Sequence, residues 1–159
     1  MEDSNPDYVK AYFEETIELV KLLDVKCVEQ MVDMLVSVRE RSGRLFFIGV
    51  GGGAGHSSHA VSDFRKIAGI EAYTPTDNVS EFTARINDEG WNSVFTNWLK
   101  ASRINSSDML FVLSVGGGDL EQNISPNLVH SLQYAKEHKI PICGIVGRDG
   151  GFTAKVADS

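Results

Sequence analysis

The chain has 159 residues, 42% apolar and 23% charged, enough for one domain with a real core and too evenly balanced for a disordered or fibrous protein. Its 15 basic and 22 acidic residues leave a net charge of -7, which argues against a nucleic-acid footprint and against docking on an anionic membrane. No apolar run reaches transmembrane length, the acidic start is unlike a signal or transit peptide, and Cys27 and Cys143 fit no metal spacing and read as free thiols in a reducing cytoplasm.

Two helices lead. Ser4 is a cap for the first, with Asp7 completing a capping box, and Val9, Phe13, Ile17, Val20 and Leu23 recur at helical spacing. The second is predicted from Lys26 to about Arg41, with Val28, Met31, Leu35 and Val38 on one face and Gly43 as its stop. Residues 44–50 are short, nearly all apolar and followed by glycines, the pattern of a strand buried on both faces. After the loop 51–55, a helix is predicted from His56 to about Ala68, with Ala60, Phe64 and Ile67 toward the core. A strand over 70–74 stops at Pro75. A short helix over 80–86 and a longer one over 91–100 follow, with Asn87-Asp88 in the turn before the second. The pattern then repeats: strand 109–115, glycine loop 116–119, a helix opened by Ser125-Pro126 and running to Glu137, strand 140–146, glycine loop 147–151 and a short helical tail.

Apolar strands alternating with amphipathic helices imply an α/β protein with a parallel sheet. The expected architecture is a three-layer α/β/α sandwich of flavodoxin-like type over 43–159, preceded by two leading helices over 1–42, as a single domain. In such sheets ligands bind at the carboxyl ends of the strands near a topological switch point, and all three glycine loops lie at carboxyl ends.

The first glycine loop has no lysine to reach a terminal phosphate, so it is not a Walker A loop. Gly49-Val50-Gly51-Gly52-Gly53-Ala54 matches a dinucleotide fingerprint formally, but Glu71 opens the next strand where an acid should close it. Gly55-His56-Ser57-Ser58-His59 lacks the second glycine of a nucleophile elbow. The glycines still imply close backbone approach to a ligand, and helix-start N–H groups favour an anion. His56, His59 and Asp63 share one helical face. That face suits a general base or part of a metal site, and equally a solvated polar edge.

Taken as a set, these features resemble the sugar isomerase (SIS) domains, and within them the phosphoheptose isomerases. The resemblance rests on Gly49-Val-Gly-Gly-Gly with His59 and Asp63 behind it, on Ile86-Asn87-Asp88, on Ser114 ending its strand, and on Gly147-Arg-Asp-Gly-Gly. It implies aldose–ketose isomerisation of a phosphorylated sugar, such as sedoheptulose 7-phosphate, through an enediol. Asp63 stands where the family carries a glutamate base, and His59 matches its histidine. Together they are the implied catalytic pair and the implied, incomplete, metal ligands. Gly51, Gly52, Asn87, Asp88, Ser114 and Asp119 are the implied substrate contacts. Zinc is implied for a full-length relative, and little or no metal is expected in this chain. The chain departs from the pattern at Val50 and Gly53, and at Val115, Gly116 and Asp119, which replace hydroxyls of the family's phosphate loop. Weak phosphate binding is the expectation, with Asp119 either facing the phosphate or capping the next helix. The family's last strand and helix have no counterpart before Ser159. The resemblance further implies a cytoplasmic homo-oligomer, a tetramer, with a small sugar or sugar phosphate as ligand. A catalytically reduced SIS domain, binding a sugar or acting as a regulatory or assembly partner, is the alternative.

Overall fold

A computed structural model describes residues 7–159. The expected cap at Ser4 lies outside them. Helix α1 spans Tyr8–Leu22 and α2 spans Val25–Glu40, the latter capped by the Asp24 carboxylate accepting from Lys26 N. Then come β1 (Arg44–Gly49), α3 (Gly52–Lys66), β2 (Glu71–Tyr73), a 3-10 turn over Pro75–Asp77, α4 (Val79–Glu89) and α5 (Val94–Ala101). The chain continues with β3 (Met109–Ser114), α6 (Pro126–Glu137), β4 (Ile142–Val146) and α7 (Gly151–Val156).

The four strands form one parallel sheet in the order β2-β1-β3-β4. Its two faces follow from the two-residue period of a strand. Leu45 and Phe47 of β1, Met109 and Phe111 of β3 and Cys143 of β4 bury one face, against Val61 of α3 and Val38 of α2. Phe46, Ile48, Leu110, Val112 and Ile142 bury the other, against α5 and α6 through Phe95, Leu99, Leu128 and Leu132. Helices therefore cover both faces, and the α/β/α sandwich read from the sequence is the observed fold. Burial pushes the Cys143 thiol up to about 11.

At the amino ends of β1 and β3 sits a buried charge. Asp108 is 2% exposed. It accepts hydrogen bonds from the backbone N, Nε and Nη2 of Arg44 and from the backbone N and Nδ2 of Asn105. The bond to Asp108 holds the Arg44 guanidinium above its usual range. At the other margin, Asp158 N donates to Ile142 O and Gly144 N to Ser159 O, so the chain runs along the free edge of β4.

Three local expectations need correction. Helix α3 starts at Gly52, not His56: Gly53, Ala54 and Gly55 N–H groups bond back to Val50 and Gly51 carbonyls, so the glycines are themselves the first turn. Asn87 and Asp88 are in the last turn of α4, which continues to Gly90, and not in a turn. Ile67 is 78% exposed, because α3 has ended at Lys66 and Ile70 takes the buried position instead.

Candidate active site

The strand order reverses direction between β1 and β3, so the crevice expected of such a sheet opens at their carboxyl ends. Gly49 and Gly53 close its floor. A Cβ on Gly49 would stand 2.5 Å from Gly53 C and 2.7 Å from Leu113 O, and one on Gly53 would stand 2.3 Å from Leu113 O. These two glycines let backbone pack on backbone rather than on a ligand. Gly51 has φ +57, which favours glycine. Within this loop Gly51, Gly52 and Gly55 have open space where a side chain would begin, so close approach to a ligand is available at these three.

Helix α3 carries His59 and Asp63 one turn apart, with His59 Nε2 3.3 Å from Asp63 Oδ2. Both are accessible, at 80% and 50% side-chain exposure. The helix is anchored beneath them by Ser57, fully buried and donating to Gly53 O at 2.8 Å, and beside them by Ser58, donating to Asp77 Oδ1 at 2.6 Å. Asn87 Nδ2 donates to Asp88 Oδ1 at 2.8 Å, and both side chains are exposed. The structure thus couples His59 with Asp63 and Asn87 with Asp88. No hydrogen bond or ion pair joins one couple to the other among the described residues.

The loop after β3 is shaped by the loop after β4. Ser114 Oγ accepts from Gly117 N at 3.1 Å. Gly117 O accepts from both N and Oγ1 of Thr153, and Gly118 O accepts from Phe152 N, so the start of α7 holds the loop's carbonyls. The two glycine clusters interlock: a Cβ on Gly117 would stand 1.8 Å from Gly150 O, and one on Gly151 would stand 2.2 Å from Gly116 O. Asp119 neither caps α6 nor stands free. Its Oδ1 accepts from Gln122 N, and Asp119 and Ile124 exchange two backbone hydrogen bonds that close a small hairpin. The hairpin returns the chain beside Gly118 at Ile124, whose carbonyl lies 3.6 Å from where a Gly118 Cβ would begin, and Ser125, at φ +51, is the cap that precedes α6. Sequence reasoning missed the hairpin that brings Ile124 back to Asp119, because nothing in the residue types of 119–124 marks that pairing. It also missed Arg148 and Lys155, which line a cleft of about 570 Å³ with Gly116, Gly118, Asp119 and Phe152.

A zinc ion would take His59 and Asp63 as ligands, but two donors do not make a site. No group of three or more His, Cys, Asp or Glu among the described residues is placed to hold an ion. The described residues do not by themselves complete a zinc centre. No helix among the described residues is long and apolar enough to cross a membrane.

No family model matches the chain. Curated relatives do. It is 30% identical over 152 residues to a probable phosphoheptose isomerase from Thermoplasma volcanium, covering 92% of this chain and 74% of that protein. It is 26% identical over 162 residues to the phosphoheptose isomerase of Aneurinibacillus thermoaerophilus, covering 96% of this chain and 78% of the relative. The solved phosphoheptose isomerase of Neisseria gonorrhoeae superposes with a TM-score of 0.80 at 26% identity, over 95% of this chain and 80% of that one. Sequence and fold agree over nearly the whole chain: the chain belongs to the phosphoheptose isomerase family.

Proposed function

We propose that this protein is a sugar-phosphate isomerase, interconverting the ketose and aldose forms of a phosphorylated sugar such as sedoheptulose 7-phosphate. The observation that carries the reading is the His59–Asp63 couple, on the helix that begins with open glycines at the carboxyl end of β1, in a chain of this family. The reaction moves a proton between adjacent carbons through an enediol. It needs a base at the carbons and a group that exchanges a proton with the oxygens. Asp63 removes the proton from one carbon and returns it to the other. His59, within reach of Asp63, hands a proton to the carbonyl oxygen as it becomes a hydroxyl and takes one from the neighbouring hydroxyl. Gly51 and Gly52 let the sugar lie against the backbone, Asn87 and Asp88 take its hydroxyls, and Ser114 with its loop faces the phosphate. Asp119 shapes that loop through Gln122.

The chain works, on this reading, as one SIS domain over 1–159 in a cytoplasmic homo-oligomer, a tetramer. What supports the oligomer is α1, none of whose residues is buried although Tyr12, Phe13, Ile17 and Val20 line it. The two cysteines, both unpaired, suit a reducing compartment.

The test is turnover of sedoheptulose 7-phosphate by the purified chain. Asp63→Ala is expected to lower kcat by about 10²–10⁴-fold. Asp63→Glu, which extends the base by one methylene, is expected to raise it. A wild-type protein that binds the sugar phosphate and does not convert it is the catalytically reduced domain instead. An unchanged rate in Asp63→Ala removes Asp63 from the mechanism.

A further inference from the structure

The geometry points to Arg148 as the residue that binds the phosphate of the substrate, with Lys155 as its supporting charge. The assignment rests on the isomerase reading above only for the identity of the ligand. The loop after β3 has Val115, Gly116, Gly117 and Gly118 in place of side chains that hold an anion. Beyond the Ser114 hydroxyl, what the loop offers is backbone: the N–H groups of Gly116 and Gly118 have no acceptor among the described residues. Such groups bind an anion weakly unless a cation stands beside them.

Arg148 stands there. Its Nη1 lies 3.8 Å from the point where a Cβ on Gly116 would begin, so the absence of a side chain at 116 leaves the guanidinium room over the loop. Among the described residues no hydrogen bond or ion pair engages the Arg148 or Lys155 side chain, whereas Arg44 and Arg85 are tied to carboxylates. Three carboxylates share the cleft. Asp119 accepts from Gln122 N, Asp149 accepts from Gly151 N and Glu121 is exposed on the hairpin, and among the described residues none of the three pairs with Arg148 or Lys155. Arg148 is also held at φ +55, a conformation rare for a residue with a Cβ. Strain of that kind persists where the surroundings fix the residue, here between the interlocked glycine loops. A planar fork of donors matches two phosphate oxygens, which a lysine cannot do.

The experiment is calorimetry on the full chain with sedoheptulose 7-phosphate, unphosphorylated sedoheptulose and inorganic phosphate. Arg148→Asn removes the charge and keeps a residue that tolerates positive φ, so the loop retains its shape. It is expected to weaken sedoheptulose 7-phosphate and inorganic phosphate by about 10- to 100-fold, with sedoheptulose affinity and the thermal midpoint unchanged. Arg148→Lys is expected to recover part of the loss. Sugar-phosphate affinity within twofold of wild type in Arg148→Asn overturns the assignment. So does an equal loss for the phosphorylated and unphosphorylated sugars, or a wild-type protein that binds neither phosphate. Arg148-dependent binding of the sugar phosphate without turnover leaves Arg148 standing and overturns the isomerase reading instead.

Discussion

At the scale of single residues, two buried polar groups set how the protein responds to pH and to mutation. The Cys143 thiol is raised by burial to about 11, from an ordinary 9.0. Its neutral form is therefore favoured in the fold, and the unfolded chain releases the proton first as pH rises. The stabilisation is fully present below pH 9.0 and is lost between 9.0 and about 11. Relative to Cys143→Ala, wild type is expected to lose stability across that window and not below it, as read from denaturation midpoints. In the same fold Cys27 is exposed, so a thiol reagent at neutral pH is expected to modify Cys27 alone until the protein unfolds. Asp108 is the second group. Asp108→Ala strips Arg44 and Asn105 of their shared acceptor, and a loss of about 3 kcal/mol by urea denaturation is expected. Asp108 lies at the amino ends of the strands, away from the crevice, so a change in the chemical step of the folded enzyme would contradict this structural role.

At the scale of elements, the glycines separate by what surrounds them. Gly117→Ala puts a methyl group against the Gly150 carbonyl in a positive-φ position, and is expected to cost more than about 2 kcal/mol. Gly52→Ala meets open space in a helical position and is expected to be neutral or stabilising by roughly 0.5–1 kcal/mol, while weakening substrate binding on the proposal that the sugar lies against this backbone. Thermal melts and substrate affinity of the two variants separate the roles; equal effects on both would refute the distinction. The strands were legible because β1 and β3 are apolar on both faces and end at glycines, and a parallel sheet permits few orders. The pairing of His59 with Asp63 was legible because four residues make one helical turn. What could not be read was which glycines serve packing. Gly117 and Gly151 look alike in sequence to Gly51 and Gly52, and only the docking of α7 on the β3 loop tells them apart. Asn87 and Asp88 were misplaced for a related reason. Turn-forming residue types suggested a break, but α4 packs through Phe82 and Ile86 and carries the chain helically to Gly90.

At the scale of the whole molecule, the α/β core is closed on both faces of the sheet and α1 is not. Along it Tyr8 stacks on Tyr12 and Tyr12 meets Phe13 edge-on, with ring centroids 6.4 and 6.3 Å apart, in solvent within one chain. An oligomer by light scattering at micromolar concentration is expected, with Phe13→Asp shifting it toward monomer; a monodisperse wild-type monomer would refute this. The bare helix has a consequence for how robust the protein is. If its apolar stripe is covered only by another copy, part of what holds the chain together is bimolecular, and mass action governs it. The melting temperature then rises with protein concentration, and the first segment to fray on dilution is α1, while the sheet, packed on both faces by helices of its own chain, melts independently of concentration.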